Sequence, residues 1–187
     1  RVTSTELGYK GAHLDNTLQI NASMYRYLYE NIHGQFQSQS FLGGTSTSVI
    51  PYPEAETDGF ELEVIYMPQP NWLIGGNYSF TDARYSEELI DVFGNVGNID
   101  VDNPEAPGSL YTIKEREVPV LGRRMERIPE NKMSLYSNYT QEVSSGTIDY
   151  LVGYSWTDSI LWNDSGLAMD VSPAFSRLDL KATWKNN

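Results

Sequence analysis

Apolar and polar residues alternate with a period of two along about seven stretches of this sequence, and the links between the stretches are alternately short and long. Few folds satisfy both conditions. Period-two alternation makes a strand with one apolar and one polar face. The stretches cover residues 3–11, 16–29, 55–67, 72–85, 127–141, 147–157 and 175–185. At roughly 9–15 residues they are longer than the usual strand of about 5–6 in a soluble domain. In the third, Phe60, Leu62, Val64 and Tyr66 oppose Glu61 and Glu63; in the fourth, Trp72, Ile74, Gly76, Tyr78 and Phe80 oppose Gly75, Asn77, Ser79 and Thr81.

The short links lie near residues 12–15, 68–71 and 143–146, each rich in turn formers, and the long ones span 34–53, 86–126 and 163–173. In an up-and-down meander, alternate links lie at opposite ends of the strands, so all short turns share one end and all long loops the other. Outer-membrane barrels have this asymmetry, and strands of about 9–11 residues suffice to cross a bilayer at a tilt. Tyr66, Trp72, Phe80, Tyr139, Trp156, Phe175 and Trp184 stand at or near the ends of apolar faces, where interfacial aromatic girdles are expected. The expected fold is therefore all-β: an antiparallel up-and-down transmembrane β-barrel fragment of about seven long strands. It is read as one partial domain over residues 1–187, with the start at Arg1 and the stop at Asn187 expected to be cuts in a longer chain.

Composition narrows the function classes. No run approaches the roughly 20 apolar residues of a helical span. The absence of cysteine removes disulfides, thiolate metal sites and cysteine nucleophiles. Thirteen Lys and Arg against 25 Asp and Glu give a net charge of -12, which opposes nucleic-acid binding.

Several segments resemble one family. Residues 55–64, a turn with Pro68 and Asn71, and the strand Trp72-Leu73-Ile74-Gly75-Gly76-Asn77-Tyr78-Ser79-Phe80-Thr81-Asp82-Ala83-Arg84-Tyr85 look like a hairpin of the TonB-dependent receptors. Glu6-Leu7-Gly8-Tyr9-Lys10-Gly11 is similar to that family's Glu-x-Gly-x-Lys-Gly strand, and residues 18–25 to the strand after it. Ile128-Pro129-Glu130-Asn131-Lys132-Met133-Ser134-Leu135 resembles its Pro-x-x-Lys strand, and Leu178-Asp179-Leu180 a later one. The resemblance implies a late portion of a 22-stranded outer-membrane barrel whose plug, energy-coupling motif and closing strands lie outside this chain. It further implies energy-coupled uptake of a bulky scarce solute, by default a ferric siderophore. The implied partners are outer-membrane lipid, the rest of the barrel with its plug, the TonB energising complex and the solute.

No catalytic constellation emerges, so no enzyme activity, cofactor or metal is expected. Glu61 and Glu63 share a strand face, as carboxylates lining a water-filled lumen do. His13 and His33 lack an acidic partner at ligand spacing. Asn98, Asp100, Asp102 and Glu105 lack the glycine and terminal glutamate of a calcium loop. Asn21, Asn77, Asn138 and Asn163 begin N-x-Ser/Thr triplets, read as chance matches in a bacterial protein.

The link 86–126 is too long to be structureless without a role. It opens with Glu87, Glu88 and Asp91 and ends with Tyr111, Lys114, Arg116, Arg123 and Arg124, five residues suited to an anionic chelate or sugar. These five are the candidate ligand-binding residues. Two alternatives remain at this level: a diffusion porin or small outer-membrane barrel, and a secreted soluble β-sandwich that binds glycans. The sandwich predicts strands of half the length and no shared orientation of the long loops.

Overall fold

The computed structural model describes residues 1–39, 45–52, 54–87, 90–91, 118–119, 121–162 and 171–186. Its main sheet has seven antiparallel strands, each adjacent to its sequence neighbour. They are β1 (Val2–His13), β2 (Leu18–Tyr29), β5 (Ala55–Gln69), β6 (Trp72–Tyr85), β9 (Asn131–Val143), β10 (Gly146–Thr157) and β13 (Phe175–Asn186), in that order across the sheet. At 12–15 residues they have the length that the alternation predicts. No described residue is helical.

Short links close one end of the strands. Between β1 and β2 the backbone turns through Leu14, Asp15 and Asn16, all at positive φ (50°, 55° and 68°), and Thr17 N–H donates to Leu14 O at 3.1 Å. Two consecutive left-handed residues give the turn whose twist matches a hairpin, and Asp and Asn tolerate that region. Between β9 and β10 the turn exits through Gly146 at φ +142°, where a Cβ would run into the carbonyl oxygen of Lys185 on β13. Only glycine meets both demands.

The long links hold elements that the alternation does not reveal. The link after β2 holds a hairpin of β3 (Ile32–Gln39) and β4 (Thr45–Tyr52), paired from Ile32 with Tyr52 to Gln39 with Thr45. Two-residue pairs, β7 (Ile90–Asp91) with β8 (Val118–Pro119) and β11 (Ile160–Leu161) with β12 (Val171–Ser172), occupy the other long links. The predicted stretch 127–141 starts late as a strand, at Asn131. Arg127 takes φ +64° and Pro129 has no N–H to give, so the ladder cannot form earlier.

The register puts every apolar residue of β6, β9, β10 and β13 that the sequence set on one face into shared rows. Trp72 opposes Tyr139, which opposes Tyr150, which opposes Ala182. Tyr78, Met133 and Trp156 form the row six residues along. The other face carries Asn77, Ser134, Ser155 and Arg177 in one row and Ser79, Lys132, Thr157 and Phe175 in the next. Phe175 is thus a correction: read as a girdle residue, it falls by register on the polar face, one residue out of phase with Leu178, Leu180 and Trp184.

Among the described residues nothing covers the apolar face. Among the described residues no large side chain is fully buried, and the buried aliphatic or aromatic residues reduce to Ala55 and Ala83. Leu135 is 50% exposed and Leu180 71%. A soluble sandwich would bury such residues against a second layer.

By Cα packing the chain comprises two compact units. One holds Arg1–Thr3, Leu28–Glu56 and Arg84–Arg123; the other holds Ser4–Tyr27, Thr57–Ala83 and Arg124–Asn187.

Candidate functional site

The polar face of the second unit is the surface with chemistry on it. A groove of about 730 Å³ runs over β1, β2, β5, β6 and β9, with Lys10, Asn21, Glu61, Glu63, Asn77 and Lys132 among its lining residues. Alternation puts these residue types there: each lies on the polar phase of its strand. Asn21 Nδ2 donates to Glu63 Oε2 at 2.7 Å, while Asn21 Oδ1 is buried without a donor. Both carboxylates line the groove, and Glu63 is held there by a neutral amide. No group of three or more His, Cys, Asp or Glu able to hold a metal exists among the described residues.

Two tyrosines lie flat on this face. Tyr136 on β9 rests over Gly75 of β6, and Tyr25 on β2 over Gly59 of β5; a Cβ at either glycine would run into the ring. Tyr25 also shares a 3.2 Å hydrogen bond with Thr81 Oγ1. Glycine is needed here for close approach of a neighbour's side chain.

At the short-turn end, Asp149 ties three strands: Lys185 Nζ lies 2.7 Å from Oδ2, and Thr140 Oγ1 donates to Oδ1 at 2.7 Å. At the loop end a second network forms around Asp158, just past β10. Asn131 Nδ2 donates to Asp158 Oδ2 at 3.0 Å, and Tyr78 Oη donates to Asn131 Oδ1 at 2.7 Å. The Asn131 amide, then the Ser159 N–H, then the charge of Arg124 hold the Asp158 carboxyl below its ordinary value. Sequence reasoning missed this network because its members are 27 and 53 residues apart.

Of the five predicted ligand-binding residues, Tyr111, Lys114 and Arg116 lie outside the described residues, as does the run from Asn98 to Glu105. Arg123 belongs to the first unit, where its carbonyl accepts from Tyr85 N–H at 3.0 Å and the neighbouring Gly122 carbonyl accepts from Arg84 Nη1 at 3.1 Å. Arg124 belongs to the second unit. Its Nε lies 3.0 Å from Glu130 Oε1, both side chains are 28% exposed, and Nη2 is buried without a hydrogen-bond acceptor. The segment that follows is stitched on two sides, Met125 N–H to Ala83 O at 2.8 Å and Arg127 N–H to Leu161 O at 2.6 Å.

The whole sequence, residues 1–187, matches the family described as "TonB dependent receptor-like, beta-barrel". The chain belongs to the TonB-dependent receptors. A comparison with curated protein sequences finds no match. Among solved structures, the siderophore receptor PiuA from Acinetobacter baumannii is similar over 100% of this chain and 22% of its own, with a TM-score of 0.68 and 18% identity. BauA, the ferric preacinetobactin receptor from Acinetobacter baumannii, is similar over 100% of this chain and 23% of its own, with a TM-score of 0.65 and 15% identity. The chain thus spans less than a quarter of the length of either receptor.

TonB-dependent receptors are outer-membrane β-barrels, and that membership settles what covers the exposed apolar face. It is lipid, and the polar face with its groove is the barrel's inner wall. The aromatic row Trp72, Tyr139 and Tyr150 then sits at the interface nearest the short turns. Its rings pack edge-to-face at 6.3 Å and stacked at 6.5 Å, and Trp72 Nε1 donates to Ser137 Oγ at 2.9 Å. By the family pattern the short turns face the periplasm and the long links face outward.

Proposed function

We propose that this chain is a late portion of the barrel domain of a receptor that imports a bulky scarce solute, a ferric siderophore, through the outer membrane. The energy comes from the TonB complex, which acts on a plug carried by another part of the receptor. The observation that supports the reading best is the family match over all 187 residues, joined to a wall with one lipid-type face and one polar face. The two similar structures, by name a siderophore receptor and a ferric preacinetobactin receptor, favour that substrate class.

The deciding experiment is iron uptake by cells that carry the full-length receptor, with and without a functional TonB complex. Import of a labelled ferric siderophore that vanishes without TonB supports the reading; import that persists at the same rate makes the protein a diffusion porin.

Within that function, Tyr111, Lys114, Arg116, Arg123 and Arg124 are proposed to contact the anionic solute from outside. A charge-assisted hydrogen bond contributes roughly 1.5–3 kcal/mol. Alanine at Arg116, Arg123 and Arg124 in the full-length receptor should therefore weaken ligand affinity by about tenfold or more. Unchanged affinity in an equilibrium binding assay removes these residues from the ligand site. Because Arg124 is tied to Glu130, the double variant at Arg116 and Arg123 separates contact from support.

A further inference from the structure

On the polar face, the register of β9, β10 and β13 brings six residues into two adjacent rows: Lys132, Thr157 and Phe175 in one, Ser134, Ser155 and Arg177 in the other. Directly opposed residues on neighbouring strands stand about 4.5–5.5 Å apart, and same-face residues along a strand about 7 Å. Short hydroxyl side chains therefore form a floor between two long cationic ones. Roughly 12 Å separates the backbones of Lys132 and Arg177 on that grid, so their side chains can converge on one ligand.

The donors of this patch are largely unused. The side chains of Lys132, Ser155 and Thr157 have no hydrogen-bond or ion-pair partner among the described residues. Ser134 Oγ donates to Asn77 Oδ1 at 3.0 Å, and Arg177 binds Asp179 Oδ2 through Nε alone, at 2.8 Å. None of the six is acidic, in a chain of net charge -12. Phe175, 56% exposed, adds an apolar edge beside Thr157. Donors without acceptors next to an exposed ring match an anion with an apolar body.

We infer that this patch is a waypoint inside the barrel for the imported solute, binding the anionic oxygens of an oxygen-rich chelate through Lys132 and Arg177 with the hydroxyls of Ser155 and Thr157. The inference rests on the uptake reading and extends it from the outer loops to the wall.

The test uses the full-length receptor in cells and three probes: a ferric catecholate, a ferric hydroxamate and a ferric citrate-type carboxylate chelate. For whichever probe is imported, Lys132→Glu should lower the uptake rate at saturating chelate about tenfold, while surface affinity in de-energised cells stays within twofold. Lys132→Arg should retain at least half the rate, and Ser155→Asp should behave like Lys132→Glu. Lys181→Glu, six residues along from Phe175 on the same face of β13, serves as the control and should import normally. Heat-modifiable mobility of each variant on gels verifies that the barrel has formed; Lys132→Arg and Ser155→Asp carry the test if Lys132→Glu does not assemble. If Lys132→Glu and Ser155→Asp import at the parental rate, or Lys181→Glu is equally impaired, the patch is not a waypoint although the uptake reading stands. Increased passive leakage of a small dye through Lys132→Glu would show instead that Lys132 holds an acidic segment of the receptor, and overturns the inference. If the parental receptor imports none of the probes, the uptake reading falls and the waypoint falls with it.

Discussion

Leu135 and Ser134 are neighbours on β9 that face opposite solvents, and an arginine at each should have very different effects. Leu135 lies four residues from Asn131, at the loop-end network, and four from Tyr139, in the aromatic row. At about 3.4 Å per residue and a tilt near 40°, each interval is roughly 10 Å along the membrane normal. Leu135 thus sits at the middle of the apolar band, between Gly76 and Tyr154 on the flanking strands. Arginine at the midplane costs about 2–4 kcal/mol, and near an interface about 0–1. Leu135→Arg should lower the folded-to-unfolded ratio by about 30- to 1000-fold. Ser134→Arg points into water and forfeits only the hydrogen bond to Asn77, about 1 kcal/mol. Denaturant titration of the full-length receptor in lipid vesicles, followed by Trp fluorescence, measures both. Equal losses at the two positions, or a larger one at Ser134, would refute the assignment of the faces.

Two further perturbations test the packing of the wall and the base of the loop. Gly75→Ala should destabilise by about 1–3 kcal/mol because the new Cβ displaces the Tyr136 ring; in the background of Tyr136→Ala the same change should cost under about 1 kcal/mol, and additive losses in that double-mutant cycle would break the argument. Asp158 titrates below its ordinary value of 3.8, so the stability it contributes is fully present above that pH and is lost as pH falls through its lower native value. The denaturation midpoint of Asp158→Asn should therefore trail that of the parent at pH 6 and converge with it as the pH falls through the lowered native value; a gap that persists unchanged in acid would place its origin outside the carboxylate charge.

The strand pattern was legible because each strand faces two immiscible surroundings, and alternation is the direct record of that. Residues 72–85 were read as one strand and are one, β6, because every second side chain meets lipid and the rest meet water. The hairpin of β3 and β4 left no such record: Gly, Ser, Thr and Gln dominate its sequence, so few large apolar residues mark a period. Phe175 was misassigned because an aromatic residue at a strand end suits either face, and only its pairing with Thr157 decides. Charges were visible in the sequence, but partners were not. Asn131, Asp158 and Tyr78 meet through three strands' worth of register, which no local spacing encodes. The same holds for the Lys132 patch, assembled from β9, β10 and β13.

The β6–β9 ladder, nine pairs from Trp72 with Tyr139 to Phe80 with Asn131, joins the two strands that flank the connection after Tyr85. Doubling the length of a flexible connection adds only about 0.6 kcal/mol of closure entropy. The ladder's register is set by the apolar face on one side and by the Tyr136 ring seated on Gly75 on the other, both supplied by the strands themselves. Under the proposed uptake reading, recognition and insertion become separately inherited traits of one chain: an outward loop pressed by antibodies or phage can be rewritten, or exchanged with that of another receptor at these joints, while the wall beneath it keeps its seat in the membrane.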